Sequence, residues 1–148
     1  MKWLHPEGFE ADDDTARIDI DAVHGFLRTA YWSPNVPRDV VERSIAGSLN
    51  VAVYAPTGEL VAFARAATDR ATYAWIADVF VLPEHRGHGL GKFVMSSLLG
   101  HPDMQGLRRL MLATKDAHEL YRQYGFTELP DLTTMMVIRH DPTTLYAE

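Results

Sequence analysis

A glycine-rich turn between a β-type run and a helical pattern constrains this chain more than any other feature. Residues 79 to 82 are β-branched or apolar, which is typical of a buried strand, and Pro83 ends the run because it has no backbone N–H to donate. Glycines then occupy alternate positions from 87 to 91, and apolar residues recur at helical spacing from Leu90 onward. The sequence therefore predicts a strand, a glycine-lined turn and a helix in immediate succession.

The start of that helix has the properties of an anion-binding site. A helix N-terminus leaves backbone N–H groups unpaired and carries partial positive charge. Arg86, His88 and Lys92 add cationic side chains at the same place. Because glycines let a ligand approach the backbone closely, we expect a phosphate or pyrophosphate to bind here.

Spacing decides which known glycine pattern this turn follows. A P-loop requires Ser or Thr after its lysine, whereas Lys92 is followed by Phe93. A dinucleotide fingerprint requires G-x-G-x-x-G early in the chain, whereas these glycines alternate and lie past the middle. The pattern that fits is R-x-x-G-x-G, formed by Arg86, Gly89 and Gly91.

This turn resembles the pyrophosphate loop of the GNAT superfamily of acyl-CoA-dependent N-acyltransferases. A second motif supports the resemblance, since residues 117 to 126 read AHELYRQYGF and are similar to the family's A-x-x-L-Y-x-x-x-G-F helix and turn. The two motifs occur in the family's order with a strand pattern between them. The resemblance covers residues 50 to 139 well and the first fifty residues loosely.

Composition and charge narrow the classes of function. The length of 148 residues and an apolar content of 47% predict one domain, residues 1 to 148. No apolar run is long enough to span a membrane and no signal peptide is recognisable, so we expect a cytoplasmic protein. The absence of cysteine excludes a thiol nucleophile and disulfides. The net charge of −6, with scattered Lys and Arg, argues against nucleic acid and weakly favours a cationic or amine-bearing substrate.

Periodicity predicts an α/β (α+β) fold. We expect residues 1 to 16 to be a polar start in which the Asp12 to Asp14 run is a solvated turn. The predicted helices cover 19 to 31, 38 to 47, 90 to 99 and 116 to 124, and the predicted strands cover 49 to 54, 60 to 67, 72 to 82, 108 to 113 and 133 to 139. A helix between two strands makes those strands parallel. Together with the resemblance, this predicts a GNAT-like mixed, mostly antiparallel sheet with a splayed parallel pair and helices on both faces.

The resemblance implies acetyl-CoA as co-substrate. Its pantetheine arm would lie between the splayed strands against the backbone of Val79, Phe80 and Val81, with the Val79 N–H donating to the thioester oxygen. The pyrophosphate would lie on Arg86, Gly87, His88, Gly89, Leu90, Gly91 and Lys92.

Three further residues, on the second motif or just before it, correspond to family positions. Tyr121 matches the tyrosine that protonates the CoA thiolate, with Tyr124 as its competitor for that role. Ala117 matches a small residue beside the cofactor. Thr114 stands where the family often has Asn, so it would keep one of that amide's hydrogen bonds.

The acceptor side of the site is defined less well by the sequence. Asp78 is our candidate for the base or the ammonium anchor, and the alternative is an ion pair with Arg65. Trp32, in a breaker-rich connection, is our candidate for a pocket wall, while Tyr31, Tyr73 and Trp75 fit a pocket or sheet packing equally. We expect no metal, because His85 and His88 have no acidic partner at ligand spacing.

The predicted activity is direct transfer of an acetyl group from acetyl-CoA to a primary amine of a small molecule or amino-acid-like acceptor. The alternatives are a protein or peptide N-acetyltransferase and a catalytically silent acyl-CoA-binding sensor. We expect no nucleic-acid or membrane partner, and the sequence leaves a homodimer open.

Overall fold

The computed structural model describes residues 1 to 147 and contains a six-stranded sheet whose strands lie in chain order. The strands are β1 (Lys2–Leu4), β2 (Glu10–Asp12), β3 (Leu49–Tyr54), β4 (Leu60–Thr68), β5 (Tyr73–Val81) and β6 (Arg109–Met111). The helices are α1 (Ile20–Leu27), α2 (Arg38–Ala46), α3 (Leu90–Leu99), α4 (His118–Arg122) and α5 (Pro142–Leu145). Single turns of 3-10 helix occur at Thr15–Arg17, Pro83–His85 and Pro102–Met104.

The strand directions confirm the predicted fold class. Strands β1 to β5 are antiparallel neighbours throughout, and β5 and β6 are parallel. The parallel pair follows from α3, which crosses over between the two strands. The β5–β6 pairing ends at Trp75 and Met111, although β5 continues to Val81, so the two strands separate as predicted.

Helices cover both faces of the sheet. On one face α3 buries Val94, Met95 and Leu98 against β3, β4 and β5. On the other face α1 and α2 bury their apolar residues in a second cluster that includes Phe63 and Phe80. Each apolar stripe thus faces one side of the sheet, and burial of this area from water is the main stabilising term.

The expectation for residues 1 to 16 was incomplete. Two short strands, β1 and β2, extend the sheet there, and Asp12 is only 5% exposed rather than solvated. Its Oδ2 accepts a hydrogen bond from Arg17 Nη1 at 2.9 Å. Asp13 accepts from the Met1 amine and pairs with His101. Strands of three residues rich in charge carry too little alternation to be recognised in a sequence.

The prediction of a last strand at residues 133 to 139 was wrong. The structure has no helix or strand between Gln123 and His140, and Met136, Val137 and Ile138 are 97%, 83% and 90% exposed. The β-type pattern is present, but it pairs with no strand among residues 1 to 147. The first helix is also shorter than expected, since turns follow Leu27 instead of a continued helix.

Candidate active site

The separation of β5 and β6 opens a cavity of about 690 Å³. Its walls come from the central part of β5, the residues that follow β6, helix α4, the connection between α1 and α2, and the C-terminal residues 139 to 146. Six residues that the sequence singled out meet there: Trp32, Asp78, Val79, Thr114, Ala117 and Tyr121. Residues that are far apart in the sequence therefore form one site.

A β-bulge shapes β5 beside the cavity. Phe63 pairs with Phe80 and Arg65 pairs with Ala77, so two residues of β5, Asp78 and Val79, lie opposite the single residue Ala64. Asp78 has a φ of 54°, which is uncommon for a residue with a side chain. A bulge interrupts the ladder and changes the direction of side chains and backbone groups. Here it falls where the resemblance assigns the thioester donor.

Asp78 uses both carboxylate oxygens within the protein. Its Oδ1 accepts a hydrogen bond from Trp32 Nε1 at 2.9 Å, and its Oδ2 accepts one from Arg65 Nε at 2.7 Å. The ion pair that the sequence offered as an alternative is therefore present. Arg65 neutralises much of the carboxylate's charge, and the contact with Trp32 fixes an aromatic wall of the cavity.

Tyr121 has the surroundings expected of a side chain that acts on a ligand. It lies on α4, is 9% exposed, and lines the cavity. Within residues 1 to 147, no group hydrogen-bonds to its hydroxyl. Burial, with smaller contributions from Tyr31 and Asp116, raises the pKa of Tyr121, so the phenol stays protonated at neutral pH.

Tyr124 has a different environment. Its hydroxyl donates to the Lys92 carbonyl oxygen at 2.7 Å and lies 2.8 Å from Ser96 Oγ. These contacts join α4 to α3. Tyr124 does not line the cavity.

Thr114 and Ala117 lie just before α4, and Ala117 is its N-cap. Thr114 Oγ1 accepts a hydrogen bond from the Ala117 N–H at 3.0 Å, and the Ala117 carbonyl oxygen accepts from the Tyr121 N–H. The threonine hydroxyl thus helps to place the helix that carries Tyr121. Its O–H remains available as a donor toward the cavity.

The glycine loop follows directly at the end of β5. Gly87 and Gly89 have φ values of 90° and 72°, and Gly89 is the N-cap of α3. No residue in the described chain accepts a hydrogen bond from the backbone N–H groups of residues 87 to 92. A Cβ atom at Gly87 or Gly89 would meet no protein atom within 4 Å. The loop therefore presents unpaired donors to open space, as an anion site requires.

The cationic side chains of this loop are exposed to solvent, and two of them also contact other groups of the protein. Arg86 Nε donates to the Val81 carbonyl oxygen at 3.3 Å, and Lys92 is solvent-exposed. His88 Nδ1 lies 3.3 Å from Glu7 Oε1, so a carboxylate from the β1–β2 turn stands next to the predicted anion site. Arg86 and Lys92 are thus the stronger cationic contributions.

Some predicted cofactor residues can contribute only through the backbone. The ring of Phe80 stacks on Phe26 at 4.2 Å in the core, and Leu90 is 2% exposed. The loop residues do not line the cavity but continue from the end of β5. Two neighbouring regions are therefore present, a candidate anion site at the loop and a cavity between the strands.

Sequence reasoning missed part of the cavity wall. Residues 139 to 143, 145 and 146 line it, as does Asp116, whereas Tyr31 and Trp75, for which the sequence left pocket and packing open, are found in the wall. The C-terminal residues belong to no motif, and only the folded chain brings them to the site. Among residues 1 to 147 there is no group of three His, Cys, Asp or Glu that could hold a metal ion, and no helix long and apolar enough to cross a membrane.

A comparison with protein families decides the classification. The sequence profile described as "Acetyltransferase (GNAT) family" matches residues 15 to 126. The chain belongs to the GNAT family. Both motifs and the splayed parallel strands lie within the matched region.

Individual GNAT relatives agree with this. A crystal structure of a GNAT-family protein from Xanthomonas campestris pv. campestris is 39% identical, with a TM-score of 0.91 over 99% of this chain and 100% of its own. "GCN5-related N-acetyltransferase 1, chloroplastic" from Arabidopsis thaliana is 38% identical over 92% of this chain and 71% of its own length. "Serotonin N-acetyltransferase 2, chloroplastic" from Oryza sativa subsp. japonica is 31% identical over 86% of this chain and 66% of its own length.

The match to the Xanthomonas structure also includes the C-terminal part of this GNAT chain. A coverage of 99% leaves at most about two residues of this chain outside the alignment.

Proposed function

We propose that this GNAT-family protein transfers an acetyl group from acetyl-CoA directly to a primary amine of a small molecule or amino-acid-like acceptor. One observation carries the proposal: Tyr121, whose hydroxyl has no hydrogen-bond partner among residues 1 to 147, lines a cavity between separated parallel strands, beside a bulge in β5. We also keep as predictions that residues 1 to 148 form one domain and that the protein is cytoplasmic. Two relatives are named as chloroplastic, which makes the location worth testing.

The two neighbouring regions fit the two ends of acetyl-CoA. The unpaired N–H groups of residues 87 to 92, with Arg86 and Lys92, suit a pyrophosphate. The part of β5 beyond Trp75 has no strand partner on the β6 side, so its backbone groups suit the amide groups of a pantetheine arm. Thr114 and Ala117 form the opposite wall.

The chemistry requires a neutral amine, a site for developing negative charge and a proton for sulfur. The nitrogen–carbon bond forms, the carbon–sulfur bond breaks, and the amine loses a proton while the thiolate gains one. At pH 7 the neutral form costs about 4.6 kcal/mol for a lysine-like amine but about 1 kcal/mol for an α-amino group. A strong base is therefore unnecessary for an acceptor of the second kind.

Val79 and Tyr121 are the groups we assign to the other two requirements. The Val79 N–H, at the bulge, would donate to the oxyanion, where one such donor contributes about a hundredfold or more in rate. Tyr121 would give its proton to the departing sulfur. A phenol of ordinary pKa is about 1.5 units less acidic than a thiol, and burial adds to that difference, so the transfer depends on close placement.

Asp78 has two roles in this proposal. It remains our candidate for the ammonium anchor, because each carboxylate oxygen has a second lone pair beyond its bond to Trp32 or Arg65. It also positions Trp32 through the indole N–H. The first role acts on the amine itself, and the second acts on the shape of the acceptor pocket.

Three observations support a small acceptor. Tyr31, Trp32 and Trp75 supply aromatic surface to the cavity. The net charge of −6 favours cations without offering a surface for nucleic acid. The rice relative is named for a small aromatic amine.

An amine panel tests the proposal. Free thiol is measured after acetyl-CoA is added with each member of a panel of small amines, amino acids and basic peptides. Because the chain has no cysteine, all thiol comes from CoA. We expect slow release without acceptor and fast release with at least one small amine. If thiol were released only with basic peptides, the acceptor would be a peptide and not a small amine. If acetyl-CoA bound but no amine caused thiol release, the sensor alternative would be favoured.

A further inference from the structure

The proposed chemistry assigns Arg65 no contact with a ligand, although this residue lines the cavity. Arg65 lies on β4 opposite Ala77 of β5, and its side chain is 18% exposed. A guanidinium that has lost most of its contact with water needs hydrogen-bond acceptors, since unpaired buried donors cost free energy. The partners of its three nitrogens therefore show whether Arg65 can also bind an acceptor.

Two of the three guanidinium nitrogens of Arg65 have partners in the protein. Its Nε donates to Asp78 Oδ2 at 2.7 Å, and its Nη1 donates to Ser48 Oγ at 3.1 Å. Among residues 1 to 147, Nη2 has no hydrogen-bond partner. One nitrogen with two N–H donors is thus left over in the wall of the cavity.

The partners of Arg65 are themselves held by the rest of the fold. Ser48 Oγ donates to the Ser44 carbonyl oxygen at 2.6 Å, near the end of α2. Asp78 Oδ1 accepts from Trp32 Nε1, in the connection between α1 and α2. The charged pair is therefore anchored on both sides, and a ligand that binds it does not have to order a mobile side chain.

The pair of Arg65 and Asp78 presents a cation and an anion side by side in one wall. An α-amino acid carries the complementary charges on one carbon, a carboxylate for Arg65 and an amino group for Asp78. An amine without a carboxylate leaves Nη2 of Arg65 without a partner. A site built to hydrogen-bond one substrate group discriminates strongly against the analogue that lacks the group, because its own polar atoms then stay unpaired.

The neighbouring part of the wall is apolar. Helices α1 and α2 and their connection contribute Leu27, Val36, Val40 and Val41 to the cavity. Burial of an apolar side chain against these residues is favourable. The same wall offers no charged partner for a side chain that carries its own charge.

We propose that Arg65 determines specificity by binding the carboxylate of a free α-amino acid with an apolar side chain, while Asp78 receives its amino group. This rests on the proposed function, because it names the acceptor of the same transfer. The bond changes are the same: the α-nitrogen bonds to the acetyl carbon and loses one proton, the carbon–sulfur bond breaks, and the CoA sulfur gains one proton.

A comparison of matched acceptors is the first test. Leucine, phenylalanine and tryptophan are each compared with the corresponding decarboxylated amine and with the α-amide, and free thiol is measured as acetyl-CoA is consumed. The amide keeps the α-amino group and the side chain but has no carboxylate, as at a peptide N-terminus. We expect kcat/KM for at least one of the free amino acids to exceed that of its two analogues at least about a hundredfold.

Arg65→Gln tests the assigned residue. It is expected to lower the ratio of kcat/KM between amino acid and decarboxylated amine at least about thirtyfold, through a higher KM for the amino acid, because the charged partner of the carboxylate is gone. The decarboxylated amine should keep its kcat/KM or gain. Arg65→Lys keeps the charge without the fork of donors, so its ratio should lie between those of Arg65→Gln and the wild type.

Arg17→Gln is the matched control. It removes an arginine from an ion pair with the buried Asp12, and Arg17 does not line the cavity. The variant should lose stability while its ratio between amino acid and amine stays unchanged. If Arg65→Gln does not fold, the wild-type comparison and Arg65→Lys still decide the question.

The outcomes separate this inference from the function on which it rests. Acetylation of decarboxylated amines as fast as of amino acids in the wild type would overturn the inference and leave amine acetylation intact. A preference for the α-amides would also overturn it and indicate peptide N-termini. Equal losses for amino acid and amine in both Arg65 variants would reduce Arg65 to a structural role. No thiol release with any acceptor would overturn the proposed function, and the inference with it.

Discussion

At the scale of single residues, two tyrosines of the second motif have opposite environments. Tyr121 lines the cavity and its hydroxyl is without a partner in the described chain, whereas the Tyr124 hydroxyl donates to the Lys92 carbonyl oxygen and lies against Ser96. Tyr121→Phe removes only the hydroxyl and is expected to lower turnover by about a hundredfold to ten-thousandfold. The dissociation constant for acetyl-CoA should stay nearly the same. Steady-state kinetics and calorimetric titration measure the two quantities.

Tyr124→Phe is the matched control for that variant. It removes a hydroxyl from the same motif and breaks the link between α4 and α3, so we expect a loss of about 1 kcal/mol in the free energy of unfolding. Turnover should change less than about threefold. A large loss of turnover in Tyr124→Phe with little loss in Tyr121→Phe would assign the acid to the other tyrosine.

Asp78→Asn tests the acceptor side. The substitution removes the negative charge that faces Arg65 and the cavity, while an amide oxygen can still accept from Trp32. We expect a higher Michaelis constant for the amine or a displaced alkaline limb of activity, with unchanged acetyl-CoA affinity. Initial rates between pH 6 and 9 provide the check.

Trp32→Phe separates the two roles of Asp78. It keeps an aromatic wall but removes the indole N–H that donates to Asp78. If Asp78 acts only by positioning Trp32, both variants should raise the acceptor Michaelis constant alike. If Asp78 anchors the amine, Asp78→Asn should have the larger effect and the changed pH profile. Unaltered acceptor kinetics in Asp78→Asn would remove it from the site.

The sequence nominated the parts of the candidate site that belong to short motifs. The glycine loop was recognised from its spacing at a helix start and Tyr121 from the family resemblance, and their roles stay predictions. The φ of Asp78 and its double contact were not predictable, because they depend on the register between β4 and β5. The same holds for residues 139 to 146, which reach the cavity only in the folded chain.

At the scale of secondary-structure elements, the turn from β5 into α3 is the one that should bind pyrophosphate. Acetyl-CoA at a hundred times its dissociation constant is expected to stabilise the protein by about 2.7 kcal/mol. Gly89→Glu places a carboxylate among the unpaired N–H groups and should abolish this stabilisation. The left-handed φ of 72° adds a strain of about 1–2 kcal/mol to the variant. Thermal unfolding with and without acetyl-CoA measures both effects.

Gly58→Glu controls for the strain. Gly58 lies in the β3–β4 turn with a φ of 101°, and a Cβ atom at this position would meet no protein atom within 4 Å. This variant should lose stability to a similar extent but keep the full response to acetyl-CoA. If acetyl-CoA stabilised Gly89→Glu as much as it stabilises Gly58→Glu, the assignment of the loop to pyrophosphate would be wrong.

The N-terminal strands make stability sensitive to acid. Burial tends to raise the pKa of Asp12. Hydrogen bonds from Arg17 and from the Asp14 N–H outweigh burial and lower this pKa below its usual value. A carboxyl whose folded pKa is lowered stabilises the fold above its ordinary pKa of about 4, and this contribution is lost as the pH falls through the folded value. The Asp12→Asn variant should therefore be less stable than the wild type at pH 7, and the difference should shrink toward pH 3.

Thermal unfolding between pH 3 and 7 measures that difference. Asp39→Asn is the control, since Asp39 also faces an arginine, Arg43, but is 73% exposed. Exposed pairs of this kind contribute little, so its unfolding temperature should follow that of the wild type. A constant gap between wild type and Asp12→Asn at all pH values would contradict the assigned cause.

Helices and strands with a strong hydrophobic periodicity in the sequence were predicted well. Elements whose formation depends on tertiary partners were not. Strand β3 has the predicted bounds, and β4 and α2 differ by about one residue at an end. Strands β1 and β2 were missed because each has three residues, and their pairing with each other and β3 decides their existence. Residues 133 to 139 show the reverse, a β-type pattern that pairs with no strand among residues 1 to 147.

At the scale of the whole molecule, the sheet has a closed part and an open part. Strands β1 to β5 form continuous antiparallel ladders packed by helices on both faces, whereas β5 and β6 share only three register pairs before they separate. The antiparallel part contains the bulge in β5 and leads into the glycine loop, and the gap between β5 and β6 leaves backbone groups of β5 accessible to a ligand. Under the proposed function, this division would let the chain bind a long co-substrate at the end of β5 and along it.

The central claim is that the acetyl group passes directly from acetyl-CoA to an amine in the cavity. Mass spectrometry of a reaction with limiting acetyl-CoA, stopped at successive times, follows the amine, CoA and the protein together. We predict acetylated amine and free CoA in equal amounts, with the protein mass unchanged at every time. An acetylated protein that forms first and then decays, or acetyl-CoA that binds and is never consumed, would contradict the account.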